Sequence, residues 1–112
     1  MSYESFKECI DACTECAIAC NRCAVACTQE PEVQHLVNCI RLDIECSIIC
    51  NTSAQVMSMN GDMSEELCEL CAEICFRCAE ECERHNQMEH CRECARVCRK
   101  CAEICTAMTE QV

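Results

Sequence analysis

Cysteines occupy the positions along this chain where a helical bundle usually carries leucine. Between Cys9 and Cys27 they recur at intervals of 4, 3, 4, 3 and 4 residues. Residues three and four apart share one face of an α-helix, so this spacing predicts a continuous seam at heptad positions a and d. A random position falls on a or d about two times in seven, yet all 19 cysteines fit one of four such seams. The pattern therefore predicts an inward-facing array of thiols. Its members are Cys9, Cys13, Cys16, Cys20, Cys23, Cys27, Cys39, Cys46, Cys50, Cys68, Cys71, Cys75, Cys78, Cys82, Cys91, Cys94, Cys98, Cys101 and Cys105.

The same periodicity predicts four helices, over residues 3–28, 31–59, 62–84 and 88–109. Helices joined by such short connections pack as antiparallel neighbours. We therefore expect an all-α, up-down-up-down four-helix bundle, with residues 1–112 forming a single domain.

The breaks between the predicted helices carry recognisable signals. Pro31 cannot continue the first helix but suits the first turn of the next. Asn60-Gly61 is the strongest turn in the chain, and Gly61 is the expected C′ residue of the second helix. Asp62 with Glu65 resembles an acidic variant of the capping box at the start of the third helix.

The second helix is apolar on more than one face. Packing against its neighbours accounts for Leu42, Ile49 and Val56, but Ile44 and Ile48 would then point outward. A helix that is apolar on several faces is usually covered on several faces. The pattern therefore predicts self-association of the chain.

The cysteine content resembles that of a disulfide-stapled domain, but other features argue against one. Small disulfide-rich domains are rich in loops, whereas this chain has one glycine and one proline. Nineteen is also odd, so the cysteines cannot all pair internally. The first residues show no apolar signal-peptide core, and no stretch approaches the 18 apolar residues of a membrane span. We therefore expect a cytosolic protein with reduced thiols, where such a pattern is typical of metal binding or catalysis.

The net charge and the low aromatic content argue against nucleic acids and membranes as partners. The formal net charge is −11 and aromatic residues make up 3% of the chain, with no tryptophan. Such a surface repels nucleic acids and anionic membranes, and it offers no platform for stacking bases. Neither a nucleic acid nor a membrane is expected as a partner.

The chemistry of the thiols favours Cu(I). A core built only for stability would not replace leucine at every layer, because each exchange forfeits burial worth about 0.8 kcal/mol per methylene. Thiolate sites select Cu(I), zinc or iron–sulfur clusters, and the last two need discrete groups of four ligands. The seams here are continuous, which suits Cu(I) bound by two or three bridging sulfurs. A zinc or cadmium buffer is the nearest alternative, followed by an iron–sulfur carrier or a thiol–disulfide oxidoreductase.

Two further expectations follow from sulfur coordination. If each Cu(I) uses two sulfurs and each sulfur bridges two ions, loading approaches about one copper per cysteine. Neutral thiols are also apolar enough for the bundle to fold before metal binds, unlike a zinc finger. Storage in a preformed container, without catalysis, is the predicted function.

The chain resembles the bacterial copper storage proteins. The similarity rests on Cys-x3-Cys and Cys-x2-Cys ladders on four helices, with Cys-Ile-Asp-Ala-Cys at 9–13 and Cys-Arg-Lys-Cys-Ala-Glu at 98–103. The absence of an export signal resembles the cytosolic branch of that family. The resemblance implies a tetramer of four-helix bundles that stores many Cu(I) ions, for copper homeostasis or detoxification.

An antiparallel bundle has two ends, which we call poles. The direction of each helix shows at which pole each of the remaining histidines and methionines lies. Histidines gather at the pole formed by the first and third connections, which is the more polar end and the predicted entrance. The residues predicted to form it are His35, Met88 and His90. Methionines gather at the opposite pole, where they are expected to act as a plug rather than as ligands. The predicted plug residues are Phe6, Met57, Met63 and Met108.

Two residues on the seams are further candidate ligands. His85 continues the third seam three residues beyond Cys82, which makes it the favoured nitrogen ligand. Asp43 lies on the second seam between Cys39 and Cys46. It either fixes the helix register through hydrogen bonds or supplies an oxygen ligand to a nearby ion.

Overall fold

Four long helices form the protein in a computed structural model, which describes residues 3–110. No strand occurs among these residues, which confirms the all-α prediction. The helices are α1 (Tyr3–Thr28), α2 (Val37–Ser58), α3 (Ser64–Glu83) and α4 (Glu89–Glu110), with one 3₁₀ turn (Val33–Leu36) before α2.

The helices pack in the cyclic order α1–α2–α3–α4, each against two neighbours, while α1 and α3 barely touch across the diagonal. The molecule is a rod of 46 × 19 × 16 Å. Cysteines and alanines dominate its interior, and the small alanines Ala12, Ala17 and Ala24 on α1 let the helix backbones approach closely. Among the described residues, no helix is long and apolar enough to cross a membrane.

The second α-helix begins at Val37, six residues later than the sequence pattern predicts. The amides of Gln29 and Glu30 still donate to α1 carbonyls, and Pro31 offers no amide hydrogen to start a helical ladder. A 3₁₀ turn follows instead and brings Leu36 into the core at 2% exposure. The chain thereby caps the bundle before α2 turns along the axis.

A Schellman motif ends α2. The Gly61 amide donates to the Val56 carbonyl at 3.0 Å, and the Asn60 amide donates to the Met57 carbonyl at 3.0 Å. Asn60, with φ of 52°, is the left-handed C′ residue, so the prediction that Gly61 takes this position is wrong. Glycine is required one residue later for space, because a Cβ there would lie 2.6 Å from Val56 Cγ1.

The start of α3 also differs from the prediction. Met63 is the N-cap residue and α3 begins at Ser64, so Asp62 and Glu65 do not form the predicted capping box. The Ser64 hydroxyl instead donates to the Gly61 carbonyl at 2.7 Å. Asp62 therefore lies one residue before the N-cap position.

Ile44 and Ile48 are 49% and 59% exposed on the outside of α2. Val37 on the same helix and Ile18 and Val25 on α1 are also at least half exposed. We call these five residues the outer apolar face. Packing within a single chain leaves this face uncovered.

Candidate metal-binding core

All nineteen cysteine thiols are free and buried, with exposed fractions of 0% or 1%. The heptad spacing explains this placement, because residues alternating three and four apart on each helix face the common axis. The bundle interior is therefore a column of sulfur atoms surrounded by small side chains. Such an interior is much richer in soft ligands than any helical core built for packing alone.

Sulfurs from different helices are in direct contact along this column. In the middle of the bundle, the Sγ atom of Cys50 lies 3.5 Å from those of both Cys71 and Cys75. The Sγ atom of Cys98 lies 3.6 Å from those of Cys16 and Cys20. These contacts join α2 to α3 and α1 to α4, and the sulfurs of Cys16 and Cys46, 3.9 Å apart, join α1 to α2.

Sets of four thiols lie close enough to share one metal ion, with their sulfurs all within 4.8 Å of one another. Neighbouring sets in the middle of the bundle have members in common, so the sulfurs there form one continuous group. Three successive sets are Cys16, Cys46, Cys50 and Cys75; Cys16, Cys20, Cys46 and Cys98; and Cys20, Cys78, Cys94 and Cys98.

One pole of the column is closed by large apolar side chains. Cys9 lies there, with its Sγ atom 2.9 Å from that of Cys105. Phe6 and Met57 are 2% and 0% exposed beside this layer, and the partly buried Met108 packs against the same core. Met63 differs from the predicted plug, because it is 55% exposed at the turn before α3.

At the other pole, His90 meets the sulfur column. Its Nδ1 atom lies 3.8 Å from the sulfurs of Cys23 and Cys27 and 3.5 Å from that of Cys91. Its Nε2 atom lies 3.1 Å from Oε2 of Glu30. A proton on Nε2 satisfies this carboxylate and leaves the Nδ1 lone pair facing the three sulfurs, which is the tautomer that a metal ligand requires. These three cysteines with His90 form another set that can hold a metal ion.

The other predicted residues of this pole have different surroundings. The Nε2 atom of His85 lies 2.9 Å from a carboxylate oxygen of Glu81, whose side chain is 11% exposed. His35 is exposed on the 3₁₀ turn beside Glu32, whereas Met88 is partly buried against the core. The structure thus brings His90 to the sulfurs, while sequence reasoning favoured His85 as the nitrogen ligand.

Asp43 is fully buried within the sulfur column. The thiols of Cys78 and Cys94 donate to its Oδ1 atom at 3.2 and 3.4 Å, and the thiol of Cys39 donates to Oδ2 at 3.9 Å. Burial, with smaller contributions from negative charge at Cys94 and Cys78, raises the pKa of Asp43 to about 11. In the metal-free protein this carboxyl is therefore neutral near pH 7, and it links α2 to α3 and α4.

The Asp43→Asn variant should lose much of the pH dependence of folding stability. The folded state holds the Asp43 proton up to about pH 11, whereas the unfolded chain releases it near pH 4. This group's contribution to stability is thus complete below pH 4 and declines as the pH rises towards 11. Between pH 5 and 8 the slope is about 1.4 kcal/mol per pH unit for one proton, and the neutral amide removes it.

Urea denaturation of reduced, metal-free protein at pH 5, 6.5 and 8 measures these slopes. The Asp62→Asn variant is the matched control, because Asp62 is exposed and should retain the wild-type slope. Equal slopes in wild type and Asp43→Asn would show that Asp43 is ionised in the folded protein.

The thiol of Cys27, at the histidine pole, is neutral near pH 7. Burial, with smaller contributions from negative charge at Cys39 and Asp43, raises its pKa to about 12. A metal ion that binds Cys27 must therefore displace its proton.

Two glutamates that contact the histidines were not identified from the sequence. Glu30 precedes Pro31 in the first connection, sixty residues from His90. Glu81 lies one turn before His85 on α3 and is only 8% exposed, like Ile74 one heptad earlier, which is 5% exposed. Only the Glu81–His85 spacing of four residues offers a local hint of contact.

Comparison with known proteins identifies a family and solved structures that this chain resembles. The chain matches the family described as "Csp: Copper storage protein" over residues 2–110. No curated protein sequence matches it significantly.

Solved structures resemble the chain over nearly its whole length. The Cu(I)-bound copper storage protein BsCsp3 is 42% identical, with a TM-score of 0.89 over 94% of this chain and 98% of that one. Metal-free Csp3 from Bacillus subtilis is also 42% identical, with a TM-score of 0.86 over 93% and 98% of the two chains. A cytosolic copper storage protein from Streptomyces lividans, loaded with five coppers, is 38% identical, with a TM-score of 0.91 over 98% and 96%.

Proposed function

Because the chain belongs to the copper storage protein family, we propose that it stores Cu(I) along the axis of its own bundle. The observation that carries this proposal is the column of nineteen buried thiols, with overlapping sets of four sulfurs in the middle of the bundle. Zinc and iron–sulfur sites use separate groups of four ligands. A column whose groups share members suits a soft monovalent ion that accepts two or three bridging thiolates.

Each Cu(I) that binds displaces about one thiol proton, so the loaded core gains little net charge. This balance allows many ions to be stacked in a buried space, and it supports a capacity of about one Cu(I) per cysteine. The cargo serves copper homeostasis or detoxification.

We assign the ligands to the nineteen cysteines and to His90, whose Nδ1 atom faces three of the sulfurs. Asp43 is better placed to hold thiols through hydrogen bonds than to bind copper, because it is neutral in the empty protein. A ligand role for His85 would require its ring to leave Glu81.

The histidine pole is the proposed entrance, since His90 and Met88 are only partly buried there. The buried side chains of Phe6 and Met57 close the opposite pole.

Storage, rather than catalysis, is the proposed activity. Redox-active cysteine pairs normally lie at a helix N-terminus with one exposed, acidic thiol, whereas every thiol here is buried along the length of a helix. One core shared by four helices supports a single domain over residues 1–112. The copper storage protein from Streptomyces lividans is described as cytosolic, which supports a cytosolic location for this chain.

The outer apolar face supports self-association, with a tetramer as the proposed assembly. The Ile44→Glu/Ile48→Glu double variant should shift the protein to the monomer, because two buried, unpaired carboxylates at an interface are costly. Analytical ultracentrifugation of wild type and variant measures the effect. The Glu45→Gln/Thr52→Ser double variant on the same helix is the control, and a monomeric wild type would refute the proposal.

Anaerobic titration of reduced protein with Cu(I) tests the storage function. The expected end point is about one equivalent per cysteine, read from thiolate-to-copper absorption in the ultraviolet and from competition with a Cu(I) chelator. A parallel titration with Zn(II) should end at no more than a few equivalents, because zinc needs four thiolates to itself. A higher capacity for Zn(II) than for Cu(I) would favour a zinc or cadmium buffer instead.

A further inference from the structure

A groove between α1 and α4 reaches the sulfur column from the side of the bundle. It is a cavity of about 580 Å³, and it is lined by Ala19 and Cys23 of α1 and by His90, Cys94 and Val97 of α4. Cavities of this size are typical of sites for small molecules. Cys23 and Cys94 are each 1% exposed, and most other cysteines are 0% exposed.

Two other grooves among the described residues have no cysteine in their lining. Two cavities on the α3–α4 side are lined by Phe76 and Ala102 together with polar residues, and no cysteine lines either of them. The α1–α4 groove therefore combines a cavity of ligand size with direct access to core sulfur.

The charges of the groove are of both signs. Glu15 and Arg22 lie on the α1 side, and Glu89 and Glu93 lie on the α4 side. Arg96 forms an ion pair with Glu93 at 2.6 Å, so Glu89 is the carboxylate of α4 that remains available to a ligand. Arg22 forms no ion pair or side-chain hydrogen bond with any residue in the part of the chain that the structure describes. A small ligand with a carboxylate and an ammonium group would be complementary to this arrangement, because each of its charges would find a partner of opposite sign.

We propose that this groove binds a low-molecular-weight zwitterionic aminothiol that carries Cu(I), and that the ion passes from this carrier to Cys23. The inference rests on the proposed storage function and names the carrier that it uses. Arg22 holds the carboxylate of the carrier, Glu89 holds its ammonium group, and its sulfur lies over Cys23. The apolar surfaces of Ala19 and Val97 contact the carbon atoms of the carrier.

The transfer is a ligand exchange without change of oxidation state. The Cu(I)–sulfur bond to the carrier breaks as a bond between Cu(I) and the sulfur of Cys23 forms. The proton of the Cys23 thiol leaves with the carrier thiolate, which departs as a neutral thiol. The ion can then move along the column, because the Sγ atom of Cys23 lies 4.0 Å from those of Cys27 and Cys91.

Stopped-flow transfer of Cu(I) from its L-cysteine complex to reduced, anaerobic protein tests this proposal. The Ala19→Leu variant narrows the groove beside Cys23 and should slow the transfer by about tenfold, because added volume in a packed site forces its neighbours to shift. The matched control is Ala72→Leu, which adds the same volume to the groove on the α3–α4 side and should change the rate less than about twofold.

A second variant tests recognition of the carrier without altering packing. Arg22 is exposed, so Arg22→Gln should leave the fold intact. It should slow transfer from the L-cysteine complex by about tenfold, since a charged hydrogen bond is worth about 1.5 kcal/mol or more. Transfer from the complex with 2-mercaptoethanol, which has no carboxylate, should change less than about twofold. Arg41→Gln on α2 is the control for the loss of one surface charge.

The outcomes separate this proposal from the storage function. If Ala19→Leu and Arg22→Gln accept copper from L-cysteine at the wild-type rate, copper does not pass through this groove and the proposal is wrong. The final number of Cu(I) ions bound should be unchanged in every variant. If wild-type protein itself binds few ions at equilibrium, the storage function fails, whatever the rates are.

Discussion

Full loading with Cu(I) should raise the midpoint of thermal unfolding of the reduced protein by about 20 °C or more. Each ion that binds the folded state at a hundred times its dissociation constant adds about 2.7 kcal/mol of stability. Five such ions would add about 13 kcal/mol, as much as the whole stability of a typical small domain. The unfolded chain also binds copper through single thiols, which reduces this gain.

Copper binding still stabilises the folded state, because folding brings sulfurs of different helices together. In the folded protein the sulfurs of Cys16, Cys46 and Cys75 come from α1, α2 and α3 and lie within bonding reach of a single ion. The unfolded chain must close loops of about 30 residues to bring these same ligands together, at a cost in entropy. Cu(I) therefore acts as a cross-link between helices that favours the folded state.

Circular dichroism at 222 nm during heating, without metal and at increasing copper, measures the effect. The metal-free protein should unfold cooperatively, as expected for a bundle that folds before loading. Addition of a strong Cu(I) chelator should return the midpoint to its metal-free value. A midpoint that stays within a few degrees after loading would mean that copper does not bind across the helices.

Copper affinity should fall steeply as the pH is lowered. Burial is the main cause of the raised pKa of Cys27, about 12, so this thiol at the histidine pole is protonated throughout pH 5.5–7.5. If each Cu(I) displaces one proton, its affinity falls about tenfold per pH unit. Between pH 7.5 and 5.5 the loss is therefore about a hundredfold for each ion.

The sign of this dependence follows from which state holds the proton. The empty, folded protein binds the proton and the loaded protein does not, so acid favours the empty form. Competition against a chelator whose own protonation is corrected for gives the affinity at each pH. An affinity that does not change over this range would mean that the thiols are already ionised before copper arrives, and the account of a neutral, prefolded column would be wrong.

The cysteine seams were predictable because heptad spacing is a local property of the chain. The four-residue interval between Cys9 and Cys13 is enough to place both on one face of a helix. The same kind of spacing recurs for all nineteen cysteines. The antiparallel bundle follows from the short connections. The outward position of Ile44 and Ile48 was predicted in the same way, and the structure confirms that both are exposed.

The histidine assignment depended on contacts that sequence spacing does not carry. His85 fits the seam of α3, but Glu81 one turn earlier binds its ring. His90 lies outside the cysteine seam of α4, yet Glu30 from the first connection turns its Nδ1 atom towards the sulfurs. A contact between residues sixty positions apart is set by the packing of whole helices, so no local pattern shows it.

The place of the turn after α2 was predicted correctly, but the roles of the individual residues within it were not. Asn60-Gly61 does end α2, but asparagine takes the left-handed position and glycine gives the space beside Val56. This shift of one residue places Met63 at the exposed N-cap of α3 rather than in the plug. Turn sequences are compatible with several registers, and the packing of the helices they join selects one.

Anomalous diffraction at the copper absorption edge, from crystals of fully loaded protein, tests the central claim most directly. The account predicts a row of copper sites along the bundle axis, each bound by two or three Sγ atoms and together using the nineteen cysteines. His90 Nδ1 should bind the ion closest to the histidine pole. Copper confined to surface carboxylates, with the thiols of the core unbound, would contradict storage inside the bundle.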